Sequence, residues 1–211
     1  MQITRLFTLL CPVVLTALFF ATPAKACSCL PAHPQEHYCT ADYVALVRVM
    51  RKSNKLVPNK VVYKLQVKKS YKMNDEGQRT LRHGRIMSSD SESMCGVNLE
   101  LGRLYVIAGR GNQLNSCQYY KEYKKMSIVE RTGFTGAYKK GCSCRIRLSF
   151  GNRSSDKNLS FDECKWSPFS GSDCETRHSA CFPSINRSFS EPVIKCRWRK
   201  TVSYDDCRSS N

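Results

Sequence analysis

The amino-acid sequence predicts a mainly β protein, with a small barrel in its first half and a disulfide-rich lobe in its second. Two observations predict the barrel: short apolar or alternating runs bounded by turn residues, and a spacing that suits several strands of one small sheet. The lobe is indicated by cysteines that recur every 7 to 20 residues beyond Cys144, where strand patterns become indistinct.

Three segments carry strand patterns. Residues 43–50 are rich in valine and indicate a buried strand, and residues 61–68 alternate apolar and mainly basic side chains with one interruption, as a half-buried strand does. Residues 104–108 form a third short apolar run, and Gly109 and Gly111 predict a turn after it. We expect these strands to share one sheet.

One helix is expected in the first half. Ser127 and Glu130 have the spacing of a capping box, and Gly133 or Gly136 offers an end about two turns later. A chance match of so short a pattern is the alternative. Residues 52–60 are interpreted as a short loop between two strands.

The first 26 residues are typical of a secretory signal peptide. A short basic start to Arg5 precedes an apolar run over residues 6–20, and Ala24 and Ala26 are the small residues that a signal peptidase reads. No later stretch reaches the roughly 20 apolar residues of a membrane span. We therefore expect a soluble, monomeric, extracellular protein with an N-terminal domain over residues 27–143 and a C-terminal domain over 144–211.

Cysteine number and charge agree with secretion. Of 13 cysteines, Cys11 lies in the predicted leader, so 12 remain for six disulfides. The net charge of +17 predicts a polyanionic partner, and a sulfated matrix polysaccharide such as heparan sulfate is favoured over nucleic acid in that role. The alternative is that the basic surface serves only solubility. Glycosylation sequons begin at Asn152, Asn158 and Asn186.

The sequence lacks the motifs of an enzyme. It contains no phosphate-binding glycine loop, no nucleophile elbow and no helical histidine pair of the kind a zinc protease carries. We expect neither catalytic residues nor a cofactor of its own.

The predicted mature terminus is the most unusual feature, because Cys27-Ser28-Cys29 would be cross-linked twice within three residues where chains normally fray. A free α-amino group has a pKa of about 7.7 to 8.0, so a useful fraction is neutral and able to ligate a metal. With the carbonyl oxygen of Cys27 it forms a five-membered chelate. Such a chelate can take the open position of a catalytic zinc and displace the water that a hydrolase needs.

These residues resemble a known family. The run from Cys27 to Gln35, followed by Cys39 and Asp42, is similar to the start of the tissue inhibitors of metalloproteinases, which open with Cys-Thr/Ser-Cys and a Pro-x-His-Pro-Gln stretch. Later landmarks recur in order over nearly the whole mature chain: residues 92–96, 105–109, 133–134, 141–142, 164–166, 177–181 and 196–198.

The resemblance implies a five-stranded OB-like, netrin-type barrel with flanking helices, followed by a small disulfide-rich lobe. It also implies an inhibitor of matrix metalloproteinases and related zinc endopeptidases. Cys27 would chelate the zinc of the target protease and Ser28 would enter its primary specificity pocket. Further contacts are implied for Cys29, Leu30 and Pro31 along the cleft, and for Ser93 and Met94 on the non-primed side.

The resemblance also implies disulfides. In the first domain they join Cys27 to Cys95, Cys29 to Cys117 and Cys39 to Cys142, and in the second Cys144 to Cys196 and Cys164 to Cys181. Cys174 and Cys207 depart from the family pattern, and we infer that they pair with each other. A second departure is the single residue, Ser143, between Cys142 and Cys144.

Two alternatives remain open at this stage. A netrin-like module could bind matrix or growth factors through its basic surface instead of its terminus. The cysteines and histidines between Cys27 and Cys39 could also be taken for a zinc site, but an oxidising compartment makes disulfides the better interpretation. Trp166 and Trp198 are expected in the core of the small lobe.

Overall fold

The computed structural model describes residues 27–150, 159–169, 173–186 and 193–210. The predicted signal peptide and the sequons at Asn152 and Asn158 lie outside the described residues. Within these ranges, no helix has the length and apolar character needed to cross a membrane.

A five-stranded antiparallel sheet forms the first half of the chain. Its strands are β1 (Tyr43–Val57), β2 (Lys60–Met73), β3 (Arg85–Ser89), β4 (Leu104–Gly109) and β5 (Tyr119–Glu122). They are ordered β3-β2-β1-β4-β5, and the edge strand β3 meets the segment before β5 through a single parallel bridge between Met87 and Gln113. The result is a barrel that is not fully closed, which confirms the mainly β, OB-like class.

Strands β1 and β2 contain the first two predicted strands but are much longer. They form a hairpin that turns at Pro58 and Asn59, and Asn59 has the left-handed φ of 56° that tight hairpin turns use. Most of residues 52–60, interpreted from the sequence as a loop, are therefore strand. That interpretation was wrong because an exposed hairpin end is held by backbone pairing and shows no alternation of apolar side chains.

The sheet buries both of its faces. Alternate residues of β1, including Tyr43 and Val47, point into the barrel interior, while Val44 points to the opposite face. There it meets Phe134 and Tyr138, both fully buried. This outer layer is carried by helices α1 (Pro34–Thr40), α3 (Ile128–Thr132) and α4 (Tyr138–Lys140), while α2 (Asp75–Leu81) follows β2.

The predicted helix is α3. The Ser127 hydroxyl accepts a hydrogen bond from the Glu130 amide (3.1 Å) and the Glu130 carboxylate accepts one from the Ser127 amide (2.8 Å), which confirms the capping box. The α-helix ends at Thr132, but Gly133 keeps helical backbone angles, and of the two predicted stops it is Gly136 that breaks the helical backbone. The chain then continues through a wide turn, broken at Gly136 with φ of 149°, into α4.

The second half has short elements around its own core. Strands β6 (Arg145–Leu148) and β7 (Glu163–Trp166) are parallel, β8 (Cys181–Asn186) and β9 (Val193–Trp198) are antiparallel, and α5 (Cys174–His178) and α6 (Val202–Ser209) complete the described part. Both tryptophans pack in this core, as predicted. We use N-terminal lobe for residues 27–143 and C-terminal lobe for 144–210; the domain boundary itself stays a prediction.

Candidate functional site

Six disulfides cross-link the described residues. They are the six pairs given in the sequence analysis, including Cys174–Cys207: Cys27–Cys95, Cys29–Cys117, Cys39–Cys142, Cys144–Cys196, Cys164–Cys181 and Cys174–Cys207.

Two of these bridges lie side by side at the start of the described chain. The sulfur atoms of Cys27, Cys29, Cys95 and Cys117 all lie within 4.8 Å of one another. Such a cluster suggests a metal site, but the four sulfurs are paired in disulfides and are not the thiolates that bind zinc. The cluster is a double staple that fixes the first three residues of the predicted mature chain.

The staple brings the predicted contact residues together. Cys27–Cys95 joins the segment of residues 27–31 to the turn that carries Ser93 and Met94, far apart in sequence. Ser28 and Ser93 are exposed, Leu30 is 78% exposed and Met94 is 65% exposed. We call residues 27–31 together with Ser93 and Met94 the terminal ridge. Exposed apolar side chains on a rigid protrusion are what a binding surface requires.

The turn that presents Met94 has a constrained backbone. A single 3-10 turn spans Glu92–Met94, and Cys95 follows with a left-handed φ of 58°. Gly96 comes next, where an added Cβ would collide with the carbonyl oxygens of Ser89 and Ser91. Glycine is therefore required there, and it holds the turn against the end of β3.

Ser116 contacts the two disulfides of the ridge and was not among the residues predicted from sequence motifs. Its hydroxyl lies 3.2 Å from the sulfur of Cys27 and 3.7 Å from that of Cys29, and its amide donates to the Cys95 carbonyl (2.9 Å). Its position directly before Cys117 was the only signal in the sequence, and it is a weak one.

Immediately after the ridge the chain becomes buried. His33 is 0% exposed, and its Nδ1 accepts a hydrogen bond from the Gln35 amide (3.2 Å), which caps α1. Burial lowers the pKa of His33 to about 4, while the backbone of Glu175 and the charge of Asp173 act in the opposite direction. His33 is therefore neutral at physiological pH. It is a packed histidine, and among the described residues it belongs to no cluster of metal-ligating side chains.

Comparison with known proteins places these features in a family. The family model for tissue inhibitor of metalloproteinase matches residues 25–198. The Drosophila melanogaster protein named tissue inhibitor of metalloproteinase is 45% identical over 205 residues, covering 97% of this chain and 96% of its own length.

Vertebrate relatives are more distant. Metalloproteinase inhibitor 3 of Gallus gallus is 30% identical over 178 residues, which cover 77% of this chain and 79% of the relative. Metalloproteinase inhibitor 2 of Homo sapiens is 28% identical over 136 residues, 59% of this chain and 61% of the relative. The chain therefore belongs to the tissue inhibitor of metalloproteinase family and is a protein inhibitor, not an enzyme.

Proposed function

We propose that the protein is a secreted inhibitor of zinc metalloendopeptidases, among them matrix metalloproteinases, and that it acts by chelating the protease zinc through the amine and carbonyl of Cys27. The exposed and doubly stapled terminal ridge is the observation that carries this proposal. Secretion is supported by the leader pattern and by six disulfides, which persist in oxidising compartments.

The chemistry of chelation needs a free amine at Cys27. Removal of residues 1–26 creates that amine, whose pKa of about 7.7 to 8.0 leaves part of it neutral at physiological pH. The neutral nitrogen and the Cys27 carbonyl oxygen then bind the zinc of the protease in place of its catalytic water. Signal cleavage is in this sense an activating step, and the protein needs no cofactor of its own.

The remaining ridge residues occupy the protease cleft. Ser28 points into the primary specificity pocket, residues 29–31 follow the cleft as a substrate would, and Ser93 and Met94 fill the non-primed side. Rigidity favours tight binding, because the two staples remove the entropy that a free peptide terminus would lose on ordering. The amine of Cys27 ends the chain at the metal, so no peptide bond is presented there for hydrolysis.

The test adds one alanine before Cys27 in the secreted protein. The added residue converts the amine to an amide, a poor zinc ligand, and intrudes on the site. We expect the inhibition constant for a matrix metalloproteinase to rise by more than about a hundredfold, since even second-shell changes cost 10- to 100-fold in metal affinity.

The control is unextended protein whose mature N-terminus has been verified as Cys27 by mass spectrometry. Unchanged inhibition by the extended protein, or a natural mature chain that begins upstream of Cys27, would contradict chelation. Inhibition by neither protein, with matrix or growth-factor binding retained, would instead favour the netrin-like module.

A second candidate function is binding of a sulfated matrix polysaccharide such as heparan sulfate, and one observation favours it. Strands β1, β2 and β3 together contain ten lysine and arginine residues and no aspartate or glutamate. Within residues 27–150 none of these ten forms an ion pair. Three of them, Arg51, Lys64 and Arg85, are direct cross-strand partners on adjacent strands.

Like charges directly opposite each other destabilise a sheet, so a bound polyanion would relieve this row. Two grooves of about 660 and 700 Å³ flank the hairpin and share Leu56, Val62 and Arg85 in their linings. Together the row and the grooves give a concave basic face on which a linear sulfated chain can lie. None of the groove-lining residues belongs to the terminal ridge.

Heparin chromatography tests this candidate. Lys64→Glu combined with Arg85→Glu should elute at clearly lower salt than the unaltered protein, because two charges that attract heparin become charges that repel it. Salt elutes the protein because exposed charges are screened over about 8 Å at physiological ionic strength. Lys139→Glu combined with Lys140→Glu, on exposed α4 positions, is the control with the same change in net charge. Equal elution of the two variants would show that net charge alone determines retention on heparin. An unaltered protein that heparin does not retain at low salt would rule out this candidate function.

A further inference from the structure

The terminal ridge is held at both ends. At one end Cys29 is bridged to Cys117, and at the other His33 is fully buried. Only Leu30, Pro31 and Ala32 lie between them, so the free span is at most about 14 Å. A short span with a proline in it has little freedom to absorb movement at either end.

The second end is anchored on the C-terminal lobe. The side-chain amide of Gln35 donates to the carbonyl oxygens of Cys181 (2.8 Å) and Gly141 (3.0 Å), and its oxygen accepts from the Cys181 amide (2.9 Å). Gln35 thus pairs with Cys181 as a neighbouring strand would, satisfying both backbone groups. Gln35 is 1% exposed, so these bonds are shielded from water.

His33 completes the same anchor. Its ring centroid lies 5.5 Å from that of Trp166 and 5.1 Å from that of Trp198, both in the C-terminal lobe, and 6.2 Å from that of Tyr138. The chain has only these two tryptophans. We call Trp166 and Trp198 the tryptophan cluster. His33, two residues after Pro31 at the end of the ridge segment, is therefore embedded in the core of the other lobe.

We propose that His33 and Gln35 are positioning residues that make the C-terminal lobe the second support of the terminal ridge. Binding of a protease to the ridge then changes the surroundings of the tryptophan cluster. Weakening the contacts of His33 and Gln35 with the C-terminal lobe increases the rate at which the complex dissociates. The inference rests on the proposed inhibitory function and adds that the C-terminal lobe sets how well the ridge is presented.

The physical basis is a chain of rigid contacts. The ridge, the proline-containing span and the start of α1 form one continuous segment, with disulfides at one end and buried hydrogen bonds at the other. Coupling between two sites requires such a connection and a differential effect of the ligand on the far end. Energetic couplings of this kind typically amount to 5- to 150-fold in affinity.

The first experiment follows the tryptophan cluster in the unaltered mature protein. Labelling with 5-fluorotryptophan gives two fluorine NMR signals, one for each tryptophan. Trp166 is 4% exposed, so a protease on the ridge cannot reach its ring directly. We expect the Trp166 signal to shift when the catalytic domain of a matrix metalloproteinase is added. A complex that inhibits the protease while leaving that signal unmoved would overturn the inference.

The second experiment removes the anchor. Gln35→Met keeps a side chain of similar length but loses all three hydrogen bonds, and we expect the complex to dissociate about fivefold faster or more, at the lower end of the usual coupling range. Thr40→Ala is the control, because its hydroxyl bonds only the Glu36 carbonyl within α1. Gln35→Glu should dissociate at least as fast as Gln35→Met, because its carboxylate has no proton to donate and faces the carbonyl oxygens of Cys181 and Gly141.

The outcomes separate the two proposals. If neither the unaltered protein nor the variants inhibit, the proposed function fails. If Gln35→Met inhibits with an unchanged dissociation rate, only the positioning role fails. Should Gln35→Met not fold, the fluorine measurement on the unaltered protein still decides.

Discussion

The two lobes are built around different kinds of core. The N-terminal lobe buries aliphatic and aromatic side chains on both faces of one sheet, with Tyr43, Tyr63 and Phe134 fully enclosed. In the C-terminal lobe, four of the six buried core residues are half-cystines, and the others are Ile146 and Trp166. One lobe is stabilised mainly by hydrophobic burial, and the other depends on cross-links because its apolar core is too small.

The first prediction breaks the hydrophobic core. Phe134→Ala removes a ring that lies 4.7 Å from Tyr119 and 5.2 Å from Tyr138, centroid to centroid. We expect a loss of about 3–5 kcal/mol in the free energy of unfolding, the usual cost of emptying an aromatic site. Urea unfolding followed by circular dichroism measures it. A loss below about 1 kcal/mol would mean that the site collapses and that this layer is not a packed core.

The second prediction breaks the cross-linked core. Replacing both Cys144 and Cys196 by alanine opens a bridge that spans 52 residues. The chain-entropy relation predicts a loss of about 4 kcal/mol, concentrated in the C-terminal lobe.

Tryptophan fluorescence should then report unfolding at lower urea than the far-ultraviolet signal of the sheet, because both tryptophans lie in the C-terminal lobe. A second variant replaces Cys174 and Cys207 by alanine, which opens the bridge between α5 and α6 in the same lobe and should shift the tryptophan transition in the same direction. Coincident transitions in the Cys144/Cys196 variant would show that the lobes unfold as one unit and that the contrast between them is not energetic.

The third prediction concerns His33, where the two cores meet. Its pKa falls from 6.5 in the unfolded chain to about 4 in the folded protein, so between these values the unfolded chain binds the extra proton. Stability is therefore fully present above about pH 6.5 and decreases as pH falls towards 4, by about 3 kcal/mol in total. Asp173, Glu175 and His37 are the other titratable groups near this ring.

Urea unfolding at a series of pH values measures this slope. His33→Asn retains an oxygen that can cap α1 but does not titrate. The variant should be less stable overall and should show a clearly shallower slope between pH 6.5 and 4.5 than the unaltered protein, with the remainder due to His37, whose pKa burial also lowers. Parallel profiles for the two proteins would assign the acid sensitivity to carboxylates instead.

The contrast between the cores also explains what the sequence could predict. Strands β1, β2 and β4 were visible as apolar or alternating runs, most clearly β1, where Tyr43 to Val49 alternate between two buried faces. The capping box at Ser127 was visible because its bonds are local. The short strands of the C-terminal lobe were not, because disulfides and not side-chain periodicity hold them in place. Five of the six cysteine pairings came from family resemblance, since twelve cysteines allow far too many combinations, and Cys174–Cys207 was inferred as the remaining pair.

The candidate site was predictable only in part for a related reason. Residues 27–31, Ser93 and Met94 could be named from motifs, but their support could not, because it is made by long-range contacts. Ser116 lies 89 residues from Cys27, and Gln35 bonds Cys181 across 146 residues. Sequence patterns report local structure and leave such contacts undetermined.

The smallest expected effect concerns a residue that belongs to neither core. Ser28 is exposed between two stapled cysteines, so Ser28→Gly should leave the thermal midpoint unchanged while removing the side chain assigned to the specificity pocket. We expect inhibition constants to rise by up to about tenfold, equivalent to about 1.4 kcal/mol, and by different factors for proteases with different pockets. Because the staples hold the backbone on both sides, the added freedom of glycine contributes little to this loss. Equal constants for Ser28→Gly and the unaltered protein across several proteases would place this side chain outside the pocket and leave chelation by Cys27 to account for binding.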